Sequence, residues 1–254
     1  DNTALHNDIQ PQHPEFSSMI GFLQHCVQHY KQALQGEIEA ISVLYPTGGS
    51  ESLAKVVADT AEHTHHRVYG LLLNKILTNF AEKNTGRTIR VLEIGGGNGI
   101  LTNWIRPFLQ CDNVEYWFTD LGRSLVVDAE KKFSDCTNMH FACYDANLAP
   151  QEQGFQPHSF DIVIELDAVH ATENIAHTMS QVRNLLKPNG LIYLLESTQT
   201  ERWTNMVYGL AAGWWYFTDS IRTDCPLLNV DQWHKVLTGS GYQNVTTLPS
   251  DDTP

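Results

Sequence analysis

Thr88-Ile89-Arg90-Val91-Leu92-Glu93-Ile94-Gly95-Gly96-Gly97-Asn98-Gly99 is the stretch that decides the fold. It reads as a short strand running straight into glycines, with an apolar helical pattern following over 101–109. A backbone can come close to a ligand only where side chains are missing, and glycine provides that. The dinucleotide fingerprint spaces its glycines as GxGxxG. Here Gly95, Gly97 and Gly99 alternate, and Ile100 stands where the third glycine of that fingerprint belongs. The spacing points to a ligand smaller than a dinucleotide. No Lys-Ser/Thr pair follows, which excludes a phosphate-binding P-loop. The bland alternative is a tight strand-to-helix turn with no ligand.

Outward from this loop the chain alternates. Strand candidates at 114–119, 139–143, 160–164 and 191–195 are separated or followed by helical patterns over 125–133, 175–186 and 231–237. Such alternation reads as α/β, a doubly wound, mostly parallel sheet with helices on both faces. A sixth strand candidate lies at 245–248. On the N-terminal side the pattern is helical. Phe16, Ile20, Leu23, Val27, Tyr30 and Leu34 recur at three- and four-residue steps, and 38–45 continues them. Pro46-Thr47-Gly48-Gly49 breaks the run, Ser50 is placed to cap the next helix, and Val68, Leu71, Leu72, Ile76, Leu77 and Phe80 mark another. The organisation expected is a helical lid over 1–86 and an α/β core over 87–254.

An acid about twenty residues beyond the glycines, after the next strand, is placed to take a ribose hydroxyl pair. Asp120 ends Tyr116-Trp117-Phe118-Thr119-Asp120 and fits. Asp145 follows the third strand and is placed to accept from an exocyclic amine. Each aspartate alone is more often a cap or turn residue. At the carboxyl ends of successive strands beside a glycine loop, they mark one crevice, where ligands of open α/β sheets sit.

Glu93-x-Gly95-x-Gly97-x-Gly99, then Asp120, then Asp145 resembles the Rossmann-like class of S-adenosylmethionine-dependent methyltransferases. The resemblance implies the cofactor S-adenosyl-L-methionine and the product S-adenosyl-L-homocysteine. It implies that Glu93, Gly95 and Gly97 lie by the methionine part, Asp120 and Leu121 by the ribose, and Asp145 and Ala146 by the adenine. Glu165 leaves the fourth strand opposite the glycine loop and is expected to border the same cofactor. A narrower set follows: Phe160-Asp161-Ile162-Val163-Ile164-Glu165-Leu166-Asp167-Ala168-Val169-His170-Ala171-Thr172, Leu185-Leu186-Lys187-Pro188-Asn189-Gly190-Leu191, Gly213-Trp214-Trp215 and Pro226-Leu227-Leu228 with Trp233 beyond. That set is similar to methyltransferase domains embedded in modular polyketide synthases, over about 36–245. This resemblance implies an acyl carrier protein with a phosphopantetheine-tethered polyketide as partner, along with other domains of the same synthase. It also implies a seven-stranded sheet, and no seventh strand can be read.

Methyl transfer from a sulfonium is an in-line displacement on an already activated donor. Positioning the acceptor supplies roughly 7–11 kcal/mol, and a general base adds about 10²–10⁴-fold. His170 is the base candidate, just beyond the fourth strand. Glu196, ending the fifth, is placed to orient it and raise its basicity. Asp167 stands where related carbon-methylating domains resemble Asn. Tyr45, Tyr69, Trp214 and Trp215 are candidates for the acceptor pocket. The short lid, Asp167 and the Thr119-Asp120-Leu121-Gly122 segment favour methylation of a β-hydroxyl oxygen. The alternative is the α-carbon of a β-ketoacyl thioester. A reading from another class is a non-catalytic spacer that keeps the fold.

Other signals are set aside. His25 and His29 are four apart on a helix but lack the Glu of a zinc-protease motif, and His63, His65 and His66 lack matching carboxylates, so no metal is expected. Gly-x-Ser-x-Gly is absent. The 254 residues are 42% hydrophobic and 18% charged, which is globular. Sixteen Lys and Arg against 29 Asp and Glu give a net charge of -13, a poor match to nucleic acid or an anionic membrane surface. Five dispersed cysteines with no CxxC suit a reducing cytoplasm. Asp1 in place of Met reads as a processed or excised piece.

Overall fold

A computed structural model describes residues 11–45 and 51–249. The break at 46–49, the Ser50 cap and the 250–254 tail lie outside the described residues. Two compact units emerge. One comprises 1–69 with 200–215, and the other 70–199 with 216–254.

The second unit is built on five strands: β1 (Ile89–Ile94), β2 (Val114–Asp120), β3 (Met139–Cys143), β4 (Phe160–Leu166) and β5 (Leu186–Leu195). All pair in parallel, in the order β3-β2-β1-β4-β5. Ile89, Val91 and Leu92 are all fully buried. A parallel sheet is covered on both faces, so its central strands read as apolar runs rather than alternation. Chain order reverses between β1 and β4, and a crevice at such a switch point is where open sheets take ligands. The register sets Ile94 level with Glu165, and Leu166 level with Leu195. The loops after β1, β4 and β5 therefore leave the sheet side by side. β5 lies at one edge. The 245–248 segment, expected as a sixth strand, is irregular, and among the described residues no strand pairs with the outer side of β5.

The α-helices among the described residues are α1 (Ser17–Leu34), α2 (Ala40–Leu44), α3 (Glu51–Glu62), α4 (His65–Lys83), α5 (Ile100–Trp104), α6 (Arg106–Leu109), α7 (Arg123–Lys132), α8 (Ile175–Leu185), α9 (Arg202–Tyr208) and α10 (Val230–Gly239). Two expected helices are shorter than their apolar periodicity. The first ends at Leu34 because Gly36 takes φ +71°, and α2 is a separate five-residue piece. The second splits at Ile105, two residues before Pro107, which has no N–H to donate. Asn174 caps α8 by accepting from the His177 N–H, and Asn229 with Gln232 closes a capping box on α10. These caps fix helices whose buried faces (Ile175, Met179, Val182, Leu185; Trp233, Val236, Leu237) pack with Leu92, Ile94 and Val163 of the sheet. Each such side chain contributes about 1.5–3 kcal/mol by leaving water. The first unit has its own core of Phe22, Cys26, Val43, Leu44, Leu53, Val56, Val207 and Leu210.

Candidate active site

The loop after β1 is stitched to the end of β2. Gly96 N–H donates to the Thr119 carbonyl at 2.9 Å, and the Thr119 hydroxyl donates to the Glu93 carbonyl at 2.6 Å. Gly97 N–H donates to Asp120 Oδ2 at 2.9 Å, while Gly122 N–H holds Oδ1 at 2.7 Å. Asp120 is thus fixed by the backbone of both loops.

The glycines differ in what surrounds them. A Cβ on Gly95 would lie 2.4 Å from the Ala168 Cβ, and one on Gly96 2.3 Å from the Phe118 ring. One on Gly99 would meet Phe133 at 2.7 Å. These three let packed neighbours approach. Gly97 has φ +53°, and a Cβ there would find nothing nearer than the Gly95 carbonyl oxygen at 3.9 Å. Space is open above Gly97 alone among the four, directly beside the Asp120 carboxylate. That is a cradle of the kind a small ligand fills.

Glu93 sits behind this loop. It is 1% exposed, and its Oε2 accepts from the Thr102 hydroxyl at 2.5 Å and the Tyr116 hydroxyl at 2.8 Å. Burial pushes its carboxyl up to about 7 against the pull of those two donors. Leu121, next to Asp120, is 68% exposed. Asp145 is half-buried, with Oδ1 accepting from the backbone and side-chain N–H groups of Asn147 at 2.9 Å. Ala146 packs in the core.

The turn after β4 carries Asp167 and His170. Asp167 adopts φ +47°, a left-handed conformation that Asp tolerates better than most residues. Its N–H donates to the Leu195 carbonyl, and its Oδ1 accepts from Ser197 N–H at 2.6 Å. Those two bonds lay the β4 and β5 exits together. His170 is buried. Its Nδ1 lies 2.7 Å from Glu196 Oε2, and its backbone N–H donates to Glu196 Oε1 at 3.2 Å. A carboxylate accepts, so the ring proton sits on Nδ1, and Nε2 is the nitrogen that can take another. Burial holds the imidazole below its ordinary 6.5 and so favours the neutral form a base requires.

Glu165 is fully buried behind this pair. Its Oε2 accepts from Ala168 N–H at 2.9 Å and Val169 N–H at 3.4 Å, while Oε1 is buried with no donor in reach. Burial, then the charge of Glu196, raises its carboxyl well above the usual range. Burial, then the charge of Asp167, also raises Glu196, while hydrogen bonds from Glu165 and from the backbone of His170 and Val169 oppose the rise. Two adjacent buried carboxylates do not both ionise. A proton on Glu165, donated to Glu196, satisfies the orphaned oxygen and leaves Glu196 as the acceptor for His170.

Sequence reading missed two features. Asp167, His170 and Glu196 offer ligand atoms within 4.8 Å of one another, the spacing of a cation site. These ligand atoms come from the exits of two different strands, so no single helical spacing marks them. The other is Arg222, whose guanidinium donates to the His170 carbonyl at 2.6 Å. Asp219 three residues earlier was the available signal.

The remaining candidates lie in the first unit. Tyr45 is half-buried against its core, and Tyr69 is edge-on to His65 at 6.1 Å. Trp214 stacks on Tyr208 at 5.4 Å and donates to Asn205 Oδ1, and Trp215 donates to the Gly209 carbonyl. His25 and His29 each turn a ring nitrogen to a backbone carbonyl.

A parallel sheet, a switch-point crevice, a glycine cradle and an acid gripping its rim define a Rossmann-like ligand site. Residues 92–192 match the family described as Methyltransferase domain. The non-reducing polyketide synthase atr1 of Stereocaulon alpinum is 33% identical over 251 residues, covering 96% of this chain and 10% of that protein. The solved CurJ carbon methyltransferase is 34% identical with a TM-score of 0.87, covering 98% of this chain and 66% of that one. The citrinin polyketide synthase CMeT domain is 27% identical with a TM-score of 0.82, over 93% and 62%. The chain belongs to the S-adenosylmethionine-dependent methyltransferases, as a domain of the polyketide synthase kind. It spans about a tenth of the length of the curated relatives it matches. No helix among the described residues is long and apolar enough to cross a membrane.

Proposed function

We propose that this domain methylates carbon, at the α-position of a β-ketoacyl thioester carried on the phosphopantetheine arm of an acyl carrier protein in the same synthase. This reading replaces the expectation of an oxygen acceptor. The observation that carries it is the 34% identity, over 98% of this chain, to a protein titled a carbon methyltransferase. Asp167, one of the three sequence arguments for oxygen, accepts at Oδ1 from the Ser197 N–H, a bond that Asn could also accept, so its difference from Asn no longer favours a hydroxyl acceptor.

When bound, the cofactor supplies an electrophilic methyl on a sulfonium. The residues fit it: Gly97 leaves the space, Asp120 offers a carboxylate rim for ribose hydroxyls, and Leu121 exposes an apolar face beside it. In this reading His170 Nε2 takes the α-proton. Two flanking carbonyls make that proton acidic enough for a neutral imidazole. Glu196 holds Nδ1–H and stabilises the imidazolium that forms, worth about 10²–10⁴-fold as general-base catalysis. With the cofactor bound, the carbanion so formed would accept its methyl, one C–C bond replacing one S–C bond with the thioether as leaving group, and His170 would release its proton to solvent.

The test is mass spectrometry of matched β-ketoacyl and β-hydroxyacyl carrier proteins after incubation with the domain and cofactor. A methyl mass gain on the ketoacyl carrier alone is expected. A gain on the hydroxyacyl carrier alone restores the oxygen reading.

A further inference from the structure

Both ends of the His170 peptide are gripped. Its N–H donates to Glu196 Oε1 and its carbonyl accepts from Arg222 Nη1 at 2.6 Å. The Arg222 side chain has no solvent exposure. Its Nη2 donates to the Thr172 carbonyl at 2.8 Å and the Glu173 carbonyl at 3.0 Å. Its Nε donates to Asp219 Oδ2 at 3.0 Å, and Phe217 lies under the guanidinium at 5.1 Å from the ring centre. Asp219 also accepts from Ile175 N–H, the first residue of α8, at 3.1 Å.

A buried arginine is costly unless paired and hydrogen-bonded, and here all three guanidinium nitrogens have acceptors. Its bonds converge on one object: three carbonyls of the turn at 170–173, which carries the imidazole. The turn has left β4 and has not yet entered α8, so neither strand nor helix satisfies those carbonyls. We infer that Arg222 is a positioning residue, which with Asp219 locks the 170–173 turn so that the His170 imidazole is held against Glu196 and aimed at the acceptor. The inference rests on the reading of His170 as the base. It gives the 216–222 segment a role that the glycine-loop and His-Ala-Thr motifs do not supply. A lysine cannot replace it, because one ammonium lacks the planar fork that spans several carbonyls. Misplacement of a reacting group by about 1 Å costs on the order of 10²-fold in rate.

Arg222 also bears on the charge of the base. The charge of Asp167 at the β4 exit favours the imidazolium and Arg222 opposes it, while Glu165, held protonated, adds no charge. Glu196 lies at the β5 exit on the other side. Removing the positive charge therefore moves the acid limb of kcat to higher pH, whereas Arg222→Lys, which keeps the charge, leaves the limb in place.

The test compares Arg222→Lys, Arg222→Met and His170→Ala. The readouts are S-adenosylhomocysteine affinity by calorimetry and steady-state methylation of a β-ketobutyryl pantetheine thioester over pH 5.5–9. For Arg222→Lys we expect affinity and acceptor KM within threefold of the parent, kcat lower by about 10²-fold, and the acid limb unmoved. For Arg222→Met we expect a similar loss with the limb moved to higher pH. An unchanged kcat in Arg222→Lys overturns the inference, as does a parallel loss of affinity and kcat. If Arg222→Met does not fold, Arg222→Lys decides alone on the same criteria. His170→Ala separates the two readings. Retained turnover there removes the base assignment, whereas its loss with parent-like kcat in the Arg222 variants removes only the positioning role.

Discussion

Replacing Glu93 by Gln should make the protein's stability less sensitive to pH. Glu93 is enclosed, with Thr102 and Tyr116 donating to one oxygen, and its carboxyl is pushed from an ordinary 4.5 up to about 7. The folded chain therefore keeps this proton to about pH 7, whereas the unfolded chain releases it near 4.5. The bound proton favours the folded state fully below 4.5, and that advantage disappears as pH rises through 7. Each tenfold change in proton affinity is worth about 1.4 kcal/mol, so the swing is about 3 kcal/mol. Glutamine presents the same acceptor to both hydroxyls and never ionises. Urea unfolding of parent and Glu93→Gln at pH 5 and pH 8 isolates the effect, because every other titrating group cancels in the difference. The variant should gain about 2–3 kcal/mol on the parent between the two pH values, since pH 5 already lies above the unfolded group's 4.5. A parent-to-variant difference that is the same at both would refute the buried neutral carboxyl. S-adenosylhomocysteine affinity should stay within threefold, since the atoms holding Glu93 are protein hydroxyls. A tenfold loss would place the carboxyl against the cofactor.

Three further outcomes follow from the geometry. Gly95→Ala should melt well below the parent, by several kcal/mol, because its methyl meets Ala168 at 2.4 Å in a left-handed backbone, whereas Gly97→Ala should keep most of its stability (losing about 1–3 kcal/mol for φ) and lose at least tenfold in S-adenosylhomocysteine affinity by calorimetry. Glu165→Gln should retain kcat within about fivefold with an unmoved acid limb, because an amide donates to Glu196 as the protonated acid does; a limb moved to lower pH would mean that Glu165 had carried a charge. Exhaustive dialysis against EDTA should leave turnover unchanged, since Nδ1 of His170 is committed to Glu196 at 2.7 Å; loss restored by a divalent cation would make Asp167, His170 and Glu196 a metal site.

Much of the fold was legible because its signals are local. Burial on both faces writes β1 and β4 as apolar runs, and the glycines that follow β1 must leave it through positive φ at Gly95, Gly97 and Gly99. The His170–Glu196 pair was readable from adjacency at two strand ends. What escaped depended on distant partners. The division inside α4, between Tyr69 and Gly70, leaves no trace in an apolar pattern that runs through it. Glu93 reads as a ligand-facing acid by position, yet Thr102 and Tyr116 draw it inward, and their spacing from it carries no period. Arg222 is separated from its carbonyls by some fifty residues. The 245–248 segment shows that β-branched residues alone do not make a strand where no ladder partner is met.

The outer side of β5 has a consequence for handling the isolated chain. After an irregular stretch at 187–190, the five residues 191–195 of parallel strand present backbone donors and acceptors along that side, with Leu191 39% exposed. Such a row is a template for a second molecule, and short apolar stretches like Leu191-Ile192-Tyr193-Leu194-Leu195 are the kind that pair edge to edge. Lys187 and Pro188 at its start are gatekeepers: a charge resists stacking, and a missing N–H interrupts the ladder. No comparable charge protects 191–195, so concentrated preparations should self-associate through that half. A single Lys at Leu191 is the simplest substitution for improving solubility without touching the methyl-transfer site.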